Sequence, residues 1–178
     1  TTNARRICDK IYCLNKAVCL CEVYYEVELP EYFLVDHPLA SVIGRAKIGN
    51  GFMFIQGCTV GENGGKYPII GENVFMYSNS KILGDSQIGN NVLIGANCYI
   101  KDMVIPDDTM VFGQYPKIIM KKNYGDKIKK IIEQQFVLWK SNENYNSLQT
   151  LVEIVHYNLG FVMLQLGGGN YHGRFGSL

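Results

Sequence analysis

Between Val42 and Ile100, large apolar residues return at every sixth position. Val42, Ile48, Phe54 and Val60 form one series, and Ile70, Met76, Ile82, Ile88, Ile94 and Ile100 resume it after a short break. Two places before the anchors stand residues that are mostly small or β-branched: Ala40, Ala46, Cys58, Val74, Ser80, Ser86, Val92 and Cys98, with Phe52 as the bulky exception. A period of six is neither the 3.6 of a helix nor the 2 of a half-buried strand. It predicts a parallel β-helix in which each hexapeptide supplies a short strand and a corner, and three of them close one triangular coil. Side chains alternate along a strand, so the anchor and the residue two before it both point inward. Three large anchors fill the middle of a narrow triangle and leave room beside them only for small side chains. Gly, Asn and Asp gather next to the anchors (Gly49-Asn50, Gly84-Asp85, Gly89-Asn90-Asn91), where corners need unusual backbone angles.

The flanks follow other patterns. In residues 4–21, Ile7, Ile11, Leu14 and Val18 share one helical face, predicting a short amphipathic helix against the first coils. Glu22 to Phe33 is rich in Tyr, Val and Glu and reads as an extended lead-in. The period breaks at Glu62-Asn63-Gly64-Gly65-Lys66-Tyr67-Pro68, a glycine-rich loop projecting from a corner, where function tends to collect. After Ile100 a last irregular coil runs to about Pro116. Residues 126–140 place Ile128, Ile131, Ile132, Phe136 and Trp139 on one helical side, with Lys127, Lys129 and Lys130 as a solvated face. Residues 148–166 are strongly apolar, but Glu153, His156, Asn158 and Gln165 interrupt them, which favours a packed or oligomer-facing helix over a membrane span. The organisation expected is a helix and lead-in over 1–33, a β-helix over 34–118, a helical extension over 119–166 and a flexible tail over 167–178.

Composition narrows the function. A net charge of +1 with 19% charged residues leaves no electrostatic footprint for nucleic acid. Cys58 and Cys98 occupy small inward slots, and Cys8, Cys13, Cys19 and Cys21 lack metal-ligand spacing. Free thiols in a reducing cytosol are expected, with no metal and no signal peptide.

Three stretches carry a resemblance. Val35-Asp36-His37 followed by Val42-Ile43-Gly44 resembles a D-H-x-x-x-x-V-I-G motif, and Gln56-Gly57-Cys58-Thr59-Val60-Gly61 resembles Q-G-V-T-L-G. Lys81-Ile82-Leu83-Gly84, Ile88-Gly89 and Ile94-Gly95-Ala96 match I-L-G, I-G and I-G-A in order and spacing. Over residues 34–118 the chain is therefore similar to the hexapeptide acyltransferases, in their serine acetyltransferase branch. That resemblance implies a left-handed β-helix, a homotrimer, and acetyl transfer from acetyl-CoA to a hydroxyl in the groove between subunits. A hydroxyl needs a base to remove its proton, and imidazoles titrate near neutrality. His37 matches the family's base. By the same pattern Gly57, Gly61, Gly95 and Ala96 line the pantetheine path, and Lys117 stands near the nucleotide end.

Two departures qualify the resemblance. Tyr67 precedes Pro68 where the family has a second histidine that helps hold serine, so Tyr67 becomes the candidate acceptor contact. No D-I-H-P run supplies a partner acid for the base. An acid between Glu22 and Glu31 (Glu22 by ungapped spacing, or Glu26, Glu28 or Glu31) ranks ahead of Asp36, because neighbouring strand residues point to opposite faces. The acceptor is a sugar hydroxyl or serine, with N-acetylation of an amino sugar a third reading. The rival from another class is a catalytically silent scaffold. The tail ending Gly176-Ser177-Leu178 offers a possible docking segment for a partner enzyme, as in the family.

Overall fold

In the computed structural model, residues 2–141 are described, and the side chains of 2–4, 15, 19 and 137–141 within its helices are excepted. The expectations for Trp139, for the apolar stretch 148–166 and for the tail fall outside that description. Parallel strands stack into a three-sided β-helix. Face one carries Phe33–Val35, Phe52–Phe54, Val74–Met76, Val92–Ile94 and Met110–Gln114. Face two carries Glu22–Val23, Val42–Ile43, Thr59–Gly61, Lys81–Leu83 and Tyr99–Lys101. Face three carries Lys47–Ile48, Ile69–Ile70, Gln87–Ile88 and Val104–Ile105.

The core is the one the period predicts. Phe54, Val60, Ile82, Ile94 and Ile100 are essentially inaccessible, and Cys58, Ser80, Ser86 and Cys98 fill the small slots beside them. Phe52 is accommodated at the centre, with its ring 5.7 Å from that of Phe54. Cys8, Cys13, Cys58 and Cys98 form no disulfide. Burial pushes the thiol of Cys98 up to about 11 and that of Cys58 upward as well, so neither is a ready nucleophile.

One register differs from expectation. In the first full coil the inward anchor is Ile43, fully buried, while Val42 points out and is 37% exposed. The small inward residue is accordingly Ser41, not Ala40. The cause lies at the preceding corner. Val35 aligns with Phe54, and Ile43 aligns with Val60, so this corner holds two residues more than the one below it. The extra pair is His37-Pro38. The following corner is one residue short, and Ile48 returns to the series.

The helix α1 (Thr2–Cys19) packs against Glu22–Val23. Its anchor there is ionic. The Glu22 carboxylate accepts a hydrogen bond from the Tyr12 hydroxyl and lies 2.6 Å from Lys16 Nζ. Burial alone would raise the Glu22 carboxyl, but the Lys16 and Tyr12 hydrogen bonds and the Lys16 charge outweigh it and hold it below the usual range. A depressed carboxylate contributes stability above its unfolded value and loses it as pH falls through the folded one. Glu22→Gln should therefore lower the unfolding free energy measured in urea at pH 7, by about 1 kcal/mol or less with Lys16 largely exposed. The gap to wild type should close below about pH 4.5. A gap unchanged at pH 3 would show that the contact is not ionic.

The second helix, α2 (Gly125–Ser141), lies over the outside of face one. The outward residues of faces two and three include Lys47, Lys81 and Gln87, whereas those of face one are Leu34, Met53, Phe75 and Leu93. Ile128 and Ile132 cover them and are themselves buried. Face one is thus the closed side of the prism, and faces two and three remain open.

Candidate active site

The resemblance singled out residues that the fold sorts onto two corners. The first corner joins face one to face two. Its regular form has a left-handed residue at each level: Ala40 (φ 58), Gly57 (φ 68), Asn79 (φ 60) and Asn97 (φ 59). Backbone N–H groups of Gly57, Asn79 and Asn97 donate to the carbonyls of Leu39, Gln56 and Ser78 at 2.9 Å, which fixes the levels one above another. Asn79 is thereby a corner residue, its amide reaching Asn97 Oδ1 at 3.4 Å.

At the head of this column the two extra residues push His37 out of the coil. Its φ of 46 is left-handed, and its side chain is 78% exposed. Asp36 is its nearest acid, with Oδ1 3.4 Å from Nε2. The alternation argument against Asp36 fails here because both residues have already left the strand, where side chains no longer alternate. Glu22, the acid favoured by spacing, has its carboxylate committed to Tyr12 and Lys16. Glu26 is committed as well, to Arg45.

Below His37 the column runs through Gly57 and Ala96 to Lys117. The strand Met110–Gln114 turns back as Lys117–Lys121, and this hairpin leans on the same corner. Gln114 donates to the Asn97 carbonyl at 3.3 Å, and the Tyr115 N–H donates to the Tyr99 carbonyl at 2.8 Å. Five strand spacings separate the two ends, roughly 24 Å at strand separation. Gly95 belongs to this column for a structural reason: a Cβ there would stand 2.5 Å from the Phe112 ring. Ala96 is exposed beside it.

The second corner joins faces two and three, and it carries Gly61 and the loop. A Cβ on Gly61 would meet only a Leu83 methyl, at 3.4 Å. The loop is built rather than loose. Asn63 and Lys66 exchange backbone hydrogen bonds at 3.1 and 3.2 Å, and Asn63 Nδ2 donates to Asp102 Oδ2 at 3.0 Å. The Glu62 carboxylate accepts from the Gly65 N–H. Tyr67 emerges 40% exposed above buried Pro68. Its ring faces Arg45, whose guanidinium is 5.9 Å from the Tyr67 centroid and 4.8 Å from that of Tyr24. Arg45 Nε donates to Glu26 Oε2 at 2.8 Å, and Nη2 donates to the same carboxylate and to the Tyr24 hydroxyl at 3.1 Å. The hydrogen bond to Glu26, then that to Tyr67, raises the Arg45 guanidinium further above its usual range. Sequence reasoning did not reach Arg45. Its partners lie 19 and 21 positions back, a separation that becomes a contact only through coil stacking.

Among the described residues no group of His, Cys, Asp and Glu could hold a metal ion, and no helix is long and apolar enough to cross a membrane. The profile of the family described as bacterial transferase hexapeptide (six repeats) matches residues 67–102. A serine acetyltransferase of Staphylococcus epidermidis is 35% identical over 119 residues, covering 64% of this chain and 54% of the relative. A Neisseria gonorrhoeae serine acetyltransferase crystallised with serine superposes with a TM-score of 0.52 at 30% identity, over 58% of this chain and 44% of that one. The Brucella abortus serine acetyltransferase crystallised with coenzyme A gives 0.57 at 24% identity, over 65% and 49%, which is a likeness of fold. The parallel strands are those of a left-handed β-helix of about five turns. Repeat and fold together make the chain similar to the hexapeptide-repeat acyltransferases. The likeness is to their serine acetyltransferase branch. The chain spans about half the length of the curated relatives it matches.

Proposed function

We propose that this β-helix carries acetyl-CoA-dependent O-acetyl transfer, with His37 as the general base that activates an acceptor hydroxyl. The observation that supports this most directly is the two-residue extension of one corner, which lifts an imidazole and its carboxylate neighbour clear of an otherwise regular column. Asp36 on the Nε2 side leaves the other ring nitrogen free to take the proton of the acceptor. The hydroxyl oxygen then attacks the thioester carbonyl directly, the C–S bond breaks, and coenzyme A leaves as the thiol. The thioester is already activated, so neither a covalent enzyme intermediate nor a metal is needed. Gly57, Ala96 and Lys117 lie along the column below the base and suit the thioester's long arm and its nucleotide end; Gly61 adds an approachable backbone at the second corner.

His37 and Tyr67 stand at opposite ends of face two, with the strand between them. A site using both therefore takes them from different copies, which agrees with a trimer. Face one is sealed by α2, and faces two and three remain for that contact. The experiment is release of free coenzyme A from acetyl-CoA, followed with a thiol reagent across serine, simple glycosides and amino sugars. Turnover with one acceptor class upholds the reading. Neither turnover nor acetyl-CoA binding in calorimetry would leave a scaffold that docks a partner.

A further inference from the structure

We propose that the acceptor is an uncharged pyranose hydroxyl, presented to His37 by a rigid platform of Tyr24, Arg45 and Tyr67. This rests on the transfer reading above and gives its substrate class. The guanidinium lies 4.8 Å from the Tyr24 ring centroid and 5.9 Å from that of Tyr67, and is tied to Glu26 by two donors. Tyr24 adds a third tie, through its hydroxyl. These contacts fix the plane of Arg45, and through it the ring of Tyr67, at the base of the projecting loop.

Two consequences follow for what can bind there. First, the charge of Arg45 is already balanced by Glu26, so this cation is not free to hold an amino-acid carboxylate. A carboxylate competing for it would have to displace a charge-assisted pair of good geometry. Second, the exposed part of the platform is mainly Tyr67, an aromatic side chain 40% exposed that ends in a phenol hydroxyl. Such a surface packs against the C–H face of a sugar ring while its hydroxyl reaches the ring's oxygens. Tyr67 offers aromatic area rather than a charge. The remaining cation of the loop is Lys66, exposed beside Tyr67, and it is the group a serine carboxylate would need.

The test is a steady-state comparison on the full-length protein. Methyl α- and β-glycopyranosides and serine are the acceptors, with KM for acceptor and for acetyl-CoA measured separately. Wild type should prefer a glycoside over serine by at least about tenfold in kcat/KM. Arg45→Met should raise the glycoside KM about tenfold and leave the acetyl-CoA KM unchanged. Tyr67→Phe should retain most of the activity that Tyr67→Ala loses, because the face and not the hydroxyl carries most of the contact. Glu26→Gln frees the guanidinium and should shift preference about tenfold toward a methyl glucuronide, a readout that misfolding cannot produce. Preferred turnover of serine with a KM that rises in Lys66→Ala would overturn the proposal, as would an unchanged glycoside KM in Arg45→Met. Absence of turnover with every acceptor would instead defeat the transfer reading on which it stands.

Discussion

Replacing His37 with alanine should lower kcat for acetyl transfer by about 10²- to 10⁴-fold, the usual contribution of a positioned general base. The KM for acetyl-CoA should stay within a factor of about two, since the imidazole stands at the head of the column and not along it. The fold should tolerate the change. His37 is 78% exposed, with Asp36 3.4 Å from its Nε2. Its left-handed backbone carries the same Cβ in either residue, so no new strain enters at φ 46. Melting curves of the two proteins should therefore coincide. Asp36→Asn should cost less, because a half-exposed carboxylate 3.4 Å away orients a base but does not replace it. Full activity in His37→Ala would sink the assignment of the base, whatever the acceptor.

The largest structural effect is expected at a glycine. Gly49, Gly71 and Gly89 form a column at the corner where face three passes to face one. Their N–H groups donate to Ile70, Ile88 and Ile105 at 2.8–2.9 Å. A Cβ on Gly71 would stand 2.8 Å from the backbone C and O of Gly89 and 2.6 Å from Asn90 Oδ1. Those atoms belong to the next coil and are held by the hydrogen bonds that set coil spacing, so they cannot withdraw as a flexible side chain could. Gly71→Ala should then cost about 3 kcal/mol, the upper end for overpacking. Gly61→Ala is the comparison: its nearest contact is a movable methyl at 3.4 Å, and less than about 1 kcal/mol is expected. Urea unfolding of both variants decides it. Equal midpoints would show that the glycine column does not limit the stacking of coils.

Where the candidate site residues lie in the coil was partly legible before the structure. Gly57, Gly61 and Ala96 fall at corners, where a chain turning every six residues must place them, whereas His37 and Tyr67 stand where that period is interrupted. That Asp36 lies beside His37 was not legible. Strand alternation ranked an acid of residues 22–31 above Asp36, but that rule holds only inside a strand, and the chain leaves the strand at Asp36. The cover on face one left a signal that periodicity alone passes over: Phe52-Met53-Phe54, Val74-Phe75-Met76 and Val92-Leu93-Ile94 are apolar on both sides, unlike the alternating strands of the other faces. A strand apolar on both sides needs a second layer, and α2 supplies it.

The sequence alone determined the β-helix, its inward anchors from Ile48 onward, the small residues beside them and the places where corners turn. These depend on local spacing and on which side chains fit a triangle, both of which are written in one dimension. Only the tertiary structure decided that Ile43 and Ser41, not Val42 and Ala40, face the core. Register in the first coil is fixed by pairing with the coil below, and the added His37-Pro38 is absorbed at the corner. The tertiary structure also decided that Glu22 anchors α1 and that Glu26 holds Arg45. Charges apply over space rather than along the chain, and stacking alone brings such distant residues within a hydrogen bond.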